Sequence, residues 1–298
     1  MNFMCKKSIP DELDFWDDLF QEDPNDFSDG LSTVECVKKS RANNVKFNIS
    51  SYVPSIKIKH YDNLRCLLYT DHFNSIDSDW VFRGHKDHNW SLTSTLERIG
   101  SKSLELRENH LNRFRKECRR TLKENTHLLD LDENEFWAMG QHYGLATPLL
   151  DWSYSPYVAL FFAFEDKVDG EDYRVIYALN RGRISRELPE FSAELFFEPK
   201  VDPFGRLTNQ SGMFTIAPPC TTLEDSLIDT LRSNGIIQPV DIAGFICKIY
   251  IKSSAKSRSN CLNDLRNMNI HNGTLFPDLI GAAKYCNQIT KEQYGVDC

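Results

Sequence analysis

The alternation of apolar and polar positions lays out most elements of the chain. Between residues 51 and 80, Ile56 and Ile58 mark a short strand, and Leu64, Leu67 and Leu68 follow at helical spacing. Trp80 and Phe82 alternate in "DWVFRG" and predict a second strand. The clearest amphipathic helix runs from Ser103 to Asn125, apolar at Leu111, Phe114, Cys118 and Leu122. Its other face carries Arg107, Arg113, Arg115, Lys116, Arg119, Arg120 and Lys123. Beyond residue 170, "YRVIYAL", "GMFTIA" and "GFICKIYIK" predict strands, while "SLIDTLRSNG" and "SRSNCLNDLRNMN" predict helices that stop at Asn or Gly. Strands and helices mix without strict βαβ alternation, so the predicted class is α+β, a mixed β-sheet core with surrounding helices.

The densest polar chemistry lies in "QHYGLATPLLDWSYSPYVALFFAF", residues 141–164. Asp132 and Glu135 have capping-box spacing, so a helix starts there and runs through Phe136 and Met139, with Gly144 suited to the position past its end. Gln141 and His142 then occupy the last turn, where exposed carbonyls and the negative end of the dipole favour a protonated imidazole. Pro148 disfavours helix at Thr147, which makes Leu149 and Leu150 extended. Ser155 before Pro156 reads as an N-cap followed by a first-turn proline, and "PYVALFFAF", apolar nearly all round, predicts a buried helix. Asp151 falls in the turn between strand and helix, where anions and ribose hydroxyls are readily held. The simpler alternative is that Asp151 and Ser155 only cap the helix while Gln141 and His142 only tie loops together.

Arg83 ends the strand of "VFRGH". Followed by Gly84, it presents a forked donor beside a backbone thin enough for close approach of a ligand. An arginine there also suits a structural ion pair, with Asp151 as its carboxylate.

The chain has 298 residues, enough for one large domain or two small ones. Its net charge of -8 argues against a protein whose main task is coating nucleic acid. The basic face of residues 103–125 remains a candidate local nucleic-acid surface, although a solvated charged side is the commoner meaning. The cysteines are scattered without any CxxC pair, which predicts thiols in a reducing compartment and no metal site. No apolar run has the length of a signal peptide or a membrane span, so a cytoplasmic location without membrane contact is expected. Residues 1–50 form an acidic leader in which Leu13, Trp16 and Phe20 behind Pro10 predict a short amphipathic helix. That helix either docks a protein partner or packs on its own domain.

"FRGH" with "WSLTSTLER" downstream, then residues 141–164, "RLTNQSGMFTI" and "GTLFPDLIGAAKY", in that order, resemble the FRG domain family, named for its Phe-Arg-Gly motif. The resemblance identifies residues 51–298 as an FRG domain. Tyr143, Ala146 and Pro148 stand where the family pattern has a second histidine, a proline and an arginine, which leaves Arg83 and His142 as the main positive groups. Such proteins occur among bacterial mobile elements and phage-defence systems, so the resemblance implies a bacterial toxin or anti-phage defence effector.

The same segments are more distantly similar to the Arg-Ser-Glu class of ADP-ribosyltransferases, which implies an ADP-ribosyltransferase-like fold. Arg83 would hold a phosphate of NAD, and Ser153 and Ser155 would stand in the serine motif. The glutamate of that class has no counterpart: near "GRLTNQSGMFTI" stand Arg206 and Gln210, with Glu194 and Glu198 further back. A carboxylate is needed as positive charge develops on the breaking glycosidic bond, so Asp151 is the candidate substitute.

Three functions follow as expectations. The first is an NAD-dependent ADP-ribosyltransferase or NAD glycohydrolase, with NAD as substrate and His142 and Asp151 catalytic. Its substrate would be bound by Arg83, Gln141, Thr147, Trp152, Ser153, Ser155 and Gln210. The second is a non-catalytic sensor or adaptor that binds a nucleotide or a foreign protein, with the leader as the partner-facing element. The third is a nucleic-acid-binding protein acting through residues 103–125.

Overall fold

A computed structural model describes residues 53–75, 79–101, 103–121, 126–167, 172–200, 202 and 205–294. The helix expected in the leader therefore falls outside the described residues, as do Leu122 and Lys123. Seven strands form one sheet: β1 (Ser55–Ile58), β2 (Trp80–His85), β3 (Leu149–Ser153), β4 (Asp172–Asn180), β5 (Phe196–Phe197), β6 (Gly212–Ile216) and β7 (Ile246–Ser253). They lie in the order β1-β7-β4-β2-β3-β6-β5, with β1 parallel to β7 and every other pair antiparallel. The class is α+β, as the element pattern predicts.

Both faces of the sheet are buried at its centre, because alternate residues of β2, β4 and β7 feed different cores. Phe82, Ile176, Ala178, Ile249 and Ile251 join one cluster with helix residues Val158, Phe161 and Phe164. Val81, Leu150, Trp152, Tyr177 and Leu179 join the other, with Leu227 and Leu231 of the helix Leu223–Ser233. Among the described residues, five α-helices precede the long strand β4: α1 (Asn63–Leu68), α2 (Thr95–Arg98), α3 (Leu104–Thr121), α4 (Glu133–His142) and α5 (Pro156–Phe164). Helix α5 is the buried apolar helix, capped by Ser155 and led by Pro156.

Several sequence expectations change in detail. Gly84 does not leave its space for a ligand: an added Cβ would sit 1.9 Å from the Ala159 carbonyl oxygen, so the missing side chain is what lets α5 lie on β2. Asp151 is not in a turn but in β3, opposite Phe214. The capping box at α4 is half formed. The Asp132 carboxylate accepts from Glu135 N at 2.9 Å, but the Glu135 carboxylate accepts from Lys200 N at 2.7 Å instead of turning back. Two cations leave the basic face of α3: Arg107 is buried in an ion pair with Glu97 at 3.0 Å, and Arg115 lies 4.7 Å over the Phe136 ring.

The helices Arg181–Glu187 and Leu279–Gln293 carry no readable pattern. In each, one residue is fully buried, Ile184 and Gly281 respectively, so there is no apolar stripe to detect. The packing of α5 on β2 is directly testable. Because the clash at Gly84 is with backbone, Gly84→Ala should lower the unfolding free energy by about 1–3 kcal/mol. An unchanged urea midpoint would show that α5 does not lie there.

Candidate functional site

The site forms where the sheet splits. All six residues of β2 pair with β4, whereas β2 and β3 meet only at Phe82 and Ser153. In the gap beyond that contact a side chain takes over: Arg83 Nη1 donates to the Asp151 main-chain carbonyl at 2.7 Å and lies 3.6 Å from the Asp151 carboxylate. Arg83 Nε donates to His85 Nε2 at 3.1 Å, a contact made possible because residues two apart on a strand share a face. No described hydrogen bond uses Nη2 of Arg83.

His85 is a residue that the sequence reading passed over, although it closes the "FRGH" motif. Burial, reinforced by the adjacent Arg83, pushes its pKa down to about 3. A neutral imidazole that accepts at Nε2 carries its proton on Nδ1, and Nδ1 lies 3.4 Å from the Trp90 carbonyl. Tyr177 supports the same spot, its hydroxyl donating to Trp90 O at 3.0 Å and its ring meeting His85 edge to face. Burial also lowers the pKa of Arg83, with Asp151 acting in the opposite direction; a guanidinium stays charged regardless.

The Asp151 carboxylate is oriented from the other side. Gln141 Nε2 donates to Asp151 Oδ1 at 2.7 Å, and the Thr147 hydroxyl donates to Gln141 Oε1, which fixes the amide. Thr147 is itself buried and tied to Thr95, whose hydroxyl donates to Thr147 O at 3.2 Å and accepts from Thr147 N at 3.0 Å. Thr147 thus positions Gln141 from behind the wall.

Around these groups lies a cavity of about 560 Å³. Arg83, Gln141, His142, Asp151, Trp152, Ser153 and Gln210 all border it, together with an apolar wall of Met139, Phe162, Phe214 and Phe276. Several of them spend their polar atoms on the protein. The buried Trp152 indole donates to Thr215 Oγ1 at 2.9 Å. Ser153 Oγ donates to Gln210 O at 2.6 Å and accepts from Ser155 N at 3.0 Å, while Gln210 Nε2 donates to Leu275 O at 3.0 Å. Ser155 caps α5, accepting from Val158 N at 3.4 Å, and α5 contributes Ala159 and Phe162 to the wall rather than its N-terminal turn. The expected anion cradle at that turn is therefore not the geometry of the site.

His142 also departs from expectation. It ends α4, but burial, then the nearby Arg206, lowers its pKa, so desolvation outweighs the helix dipole that favours a cation there. Of the glutamates considered for the missing carboxylate, Glu198 bonds Tyr154 and Arg181. The carboxylate beside Arg83 is that of Asp151. Among the described residues, no group of three or more His, Cys, Asp or Glu side chains is placed to hold a metal ion, and no helix is long and apolar enough to cross a membrane.

A mixed sheet opened between two antiparallel strands, with an arginine bridging the gap beside one composite cavity, defines the class of this α+β protein. The FRG domain model matches residues 78–172, and the chain carries an FRG domain. That match ends at the start of β4, yet Gln210, Phe214 and Phe276 from later in the chain complete the cavity wall. No curated protein and no solved structure matches the chain.

The neutral state of His85 sets a pH dependence. Between the ordinary histidine value near 6.5 and about 3, the unfolded chain takes up a proton that the folded chain refuses. Stability is therefore constant in this group above about pH 6.5 and falls as the pH drops below it, by up to about 1.4 kcal/mol per pH unit. His85→Gln, whose amide oxygen can still accept from Arg83, should make the acid limb shallower by one proton in urea melts from pH 4 to 7. An equal slope in both proteins would mean that His85 is not held neutral.

Proposed function

We propose that the cavity binds a nucleotide, with NAD the first candidate, and that the chain breaks its glycosidic bond by ADP-ribosyl transfer or by hydrolysis. The observation that carries this reading is Arg83, held by its Nε and Nη1 at the edge of a largely apolar cavity beside an oriented carboxylate. A volume of about 560 Å³ lies in the range of small-molecule sites. Nη2 of Arg83 suits a phosphate oxygen, and the wall of Met139, Phe162 and Phe276 suits a flat ring. Asp151, fixed by Gln141, would face the positive charge that develops on the ribose as the base departs. His142, with its lowered pKa, suits accepting a proton better than donating one at neutral pH. A role as a toxin or anti-phage effector is suggested by FRG membership rather than by the cavity. Binding without turnover is the second reading, and it is favoured by the Asp151 carboxylate already being shared between Gln141 and Arg83.

Calorimetry with NAD, AMP and ADP-ribose, together with chromatography of the nucleotide products, tests both readings. Arg83→Lys keeps the charge but loses the fork, and should weaken nucleotide binding roughly tenfold or more. Asp151→Asn keeps an oxygen for Gln141 and should leave binding in place while turnover drops about 100-fold. Binding by the native chain without products would select the second reading. No binding of any of the three at millimolar concentration would overturn both.

A further inference from the structure

A second cavity of about 460 Å³ lies against the first. Arg83, Arg98, Gln141 and Asp151 border both, so the bridge from Arg83 through Asp151 to Gln141 is the partition between them. The remainder of the second wall is Thr95, Ile99, Gly144, Leu145 and Ala146 with the start of β3. Each volume alone falls within the range of a single small-ligand site. Two such cavities that share a cationic wall suit a molecule with two ring-bearing halves and an anionic centre.

Arg98 is the group at that junction that no other role absorbs. It ends α2, a short helix fastened to the run before β3 by Leu96 N donating to Thr147 O at 3.2 Å and by the paired bonds of Thr95 and Thr147. Its neighbour Glu97 is committed to Arg107. Arg98 is exposed and donates through Nη1 to Thr93 O at 2.7 Å, and no carboxylate among the described residues pairs with it. At the partition, two guanidiniums therefore stand against the single carboxylate of Asp151, leaving a net positive charge where the chambers meet. Arg83 is anchored by a main-chain carbonyl and by His85, and its carboxylate contact is the longer one at 3.6 Å. An incoming anion can thus displace that contact without releasing the guanidinium.

We propose that the ligand spans both cavities, with a diphosphate held across the partition by Arg83 and Arg98 and one cyclic half in each chamber. This rests on the nucleotide reading above and narrows it to two-headed diphosphates, the class that includes dinucleotides and nucleoside diphosphate sugars.

Calorimetry on the full chain with ADP-ribose and with AMP separates the two readings. The native chain should bind ADP-ribose at least about tenfold more tightly than AMP, since the second phosphate adds charge-assisted bonds. Arg98→Gln should remove most of that preference, weakening ADP-ribose by roughly tenfold while changing AMP by less than about threefold, and Arg98→Lys should restore part of it. Arg98 is exposed, so an unchanged melting temperature is expected for both variants. Equal affinity of the native chain for the two ligands, or equal effects of Arg98→Gln on both, would overturn the spanning ligand while leaving the nucleotide reading standing. Absence of binding to either ligand would remove the nucleotide reading and this proposal together.

Discussion

The contact between the Arg83 guanidinium and the Asp151 main-chain carbonyl is the constraint on which the site depends. It occupies the place where β2 and β3 stop pairing, so it is both a substitute for ladder bonds and a charge placed at a gap. A sheet that continued its ladder there would leave no room for a cavity, and a gap without a donor would leave main-chain polar groups buried without partners. A single long cationic side chain meets both requirements. Because its second anchor is a neutral imidazole rather than a carboxylate, the guanidinium keeps its positive charge available to what lies in front of it.

The helical segment between β2 and β3 exists, in physical terms, to hold that gap open. Helix α2 is fastened to Thr147 just before β3, and α3 is fastened to α2 by the buried pair of Glu97 and Arg107. Arg107 also donates to the Ala217 carbonyl at 2.8 Å, which reaches to the far end of β6. Breaking such a buried pair by removing one partner costs about 3–5 kcal/mol, far more than a surface pair contributes. The pair therefore fixes the helical insert relative to the sheet. Helix α4, whose Phe136 and Trp137 share one buried cluster with Leu96 of α2 and Leu111 of α3, delivers Gln141 to Asp151 from the opposite side.

Electrostatic expectations drawn from single elements are overruled by burial in this protein. The last turn of a helix favours a cationic histidine by about 0.3–1 kcal/mol when exposed. Removing the imidazole from water and placing it near Arg206 acts against this, and His142 ends up less basic than usual. The same balance, taken further, keeps His85 neutral and makes it an acceptor for Arg83. Charge on a histidine is thus set by what surrounds it in three dimensions and not by its place along the helix.

From the sequence alone, apolar patterning located β1, β2, β4, β6 and β7 except their exact ends, Pro148 marked the start of β3, the caps Asp132 and Ser155 placed two helices, and the motif "FRGH" marked the arginine. These features are local: they depend on residues within a turn or a pleat of one another, so the order of letters carries them. Gly84 was legible as a position needing no side chain, but not that its empty space faces a helix 75 residues later in the chain rather than a ligand. The helix Leu279–Gln293, which exposes Leu279 and Ile280, was invisible because no stripe of apolar residues announces it. What only the tertiary structure decided was the parting of β2 from β3, the fastening of Arg98 beside Arg83, the placing of Thr147 and Ser155 outside the cavity lining, and the commitment of the Trp152 indole to Thr215. Each of these is a contact between segments dozens of residues apart, fixed by packing and burial that no local pattern encodes.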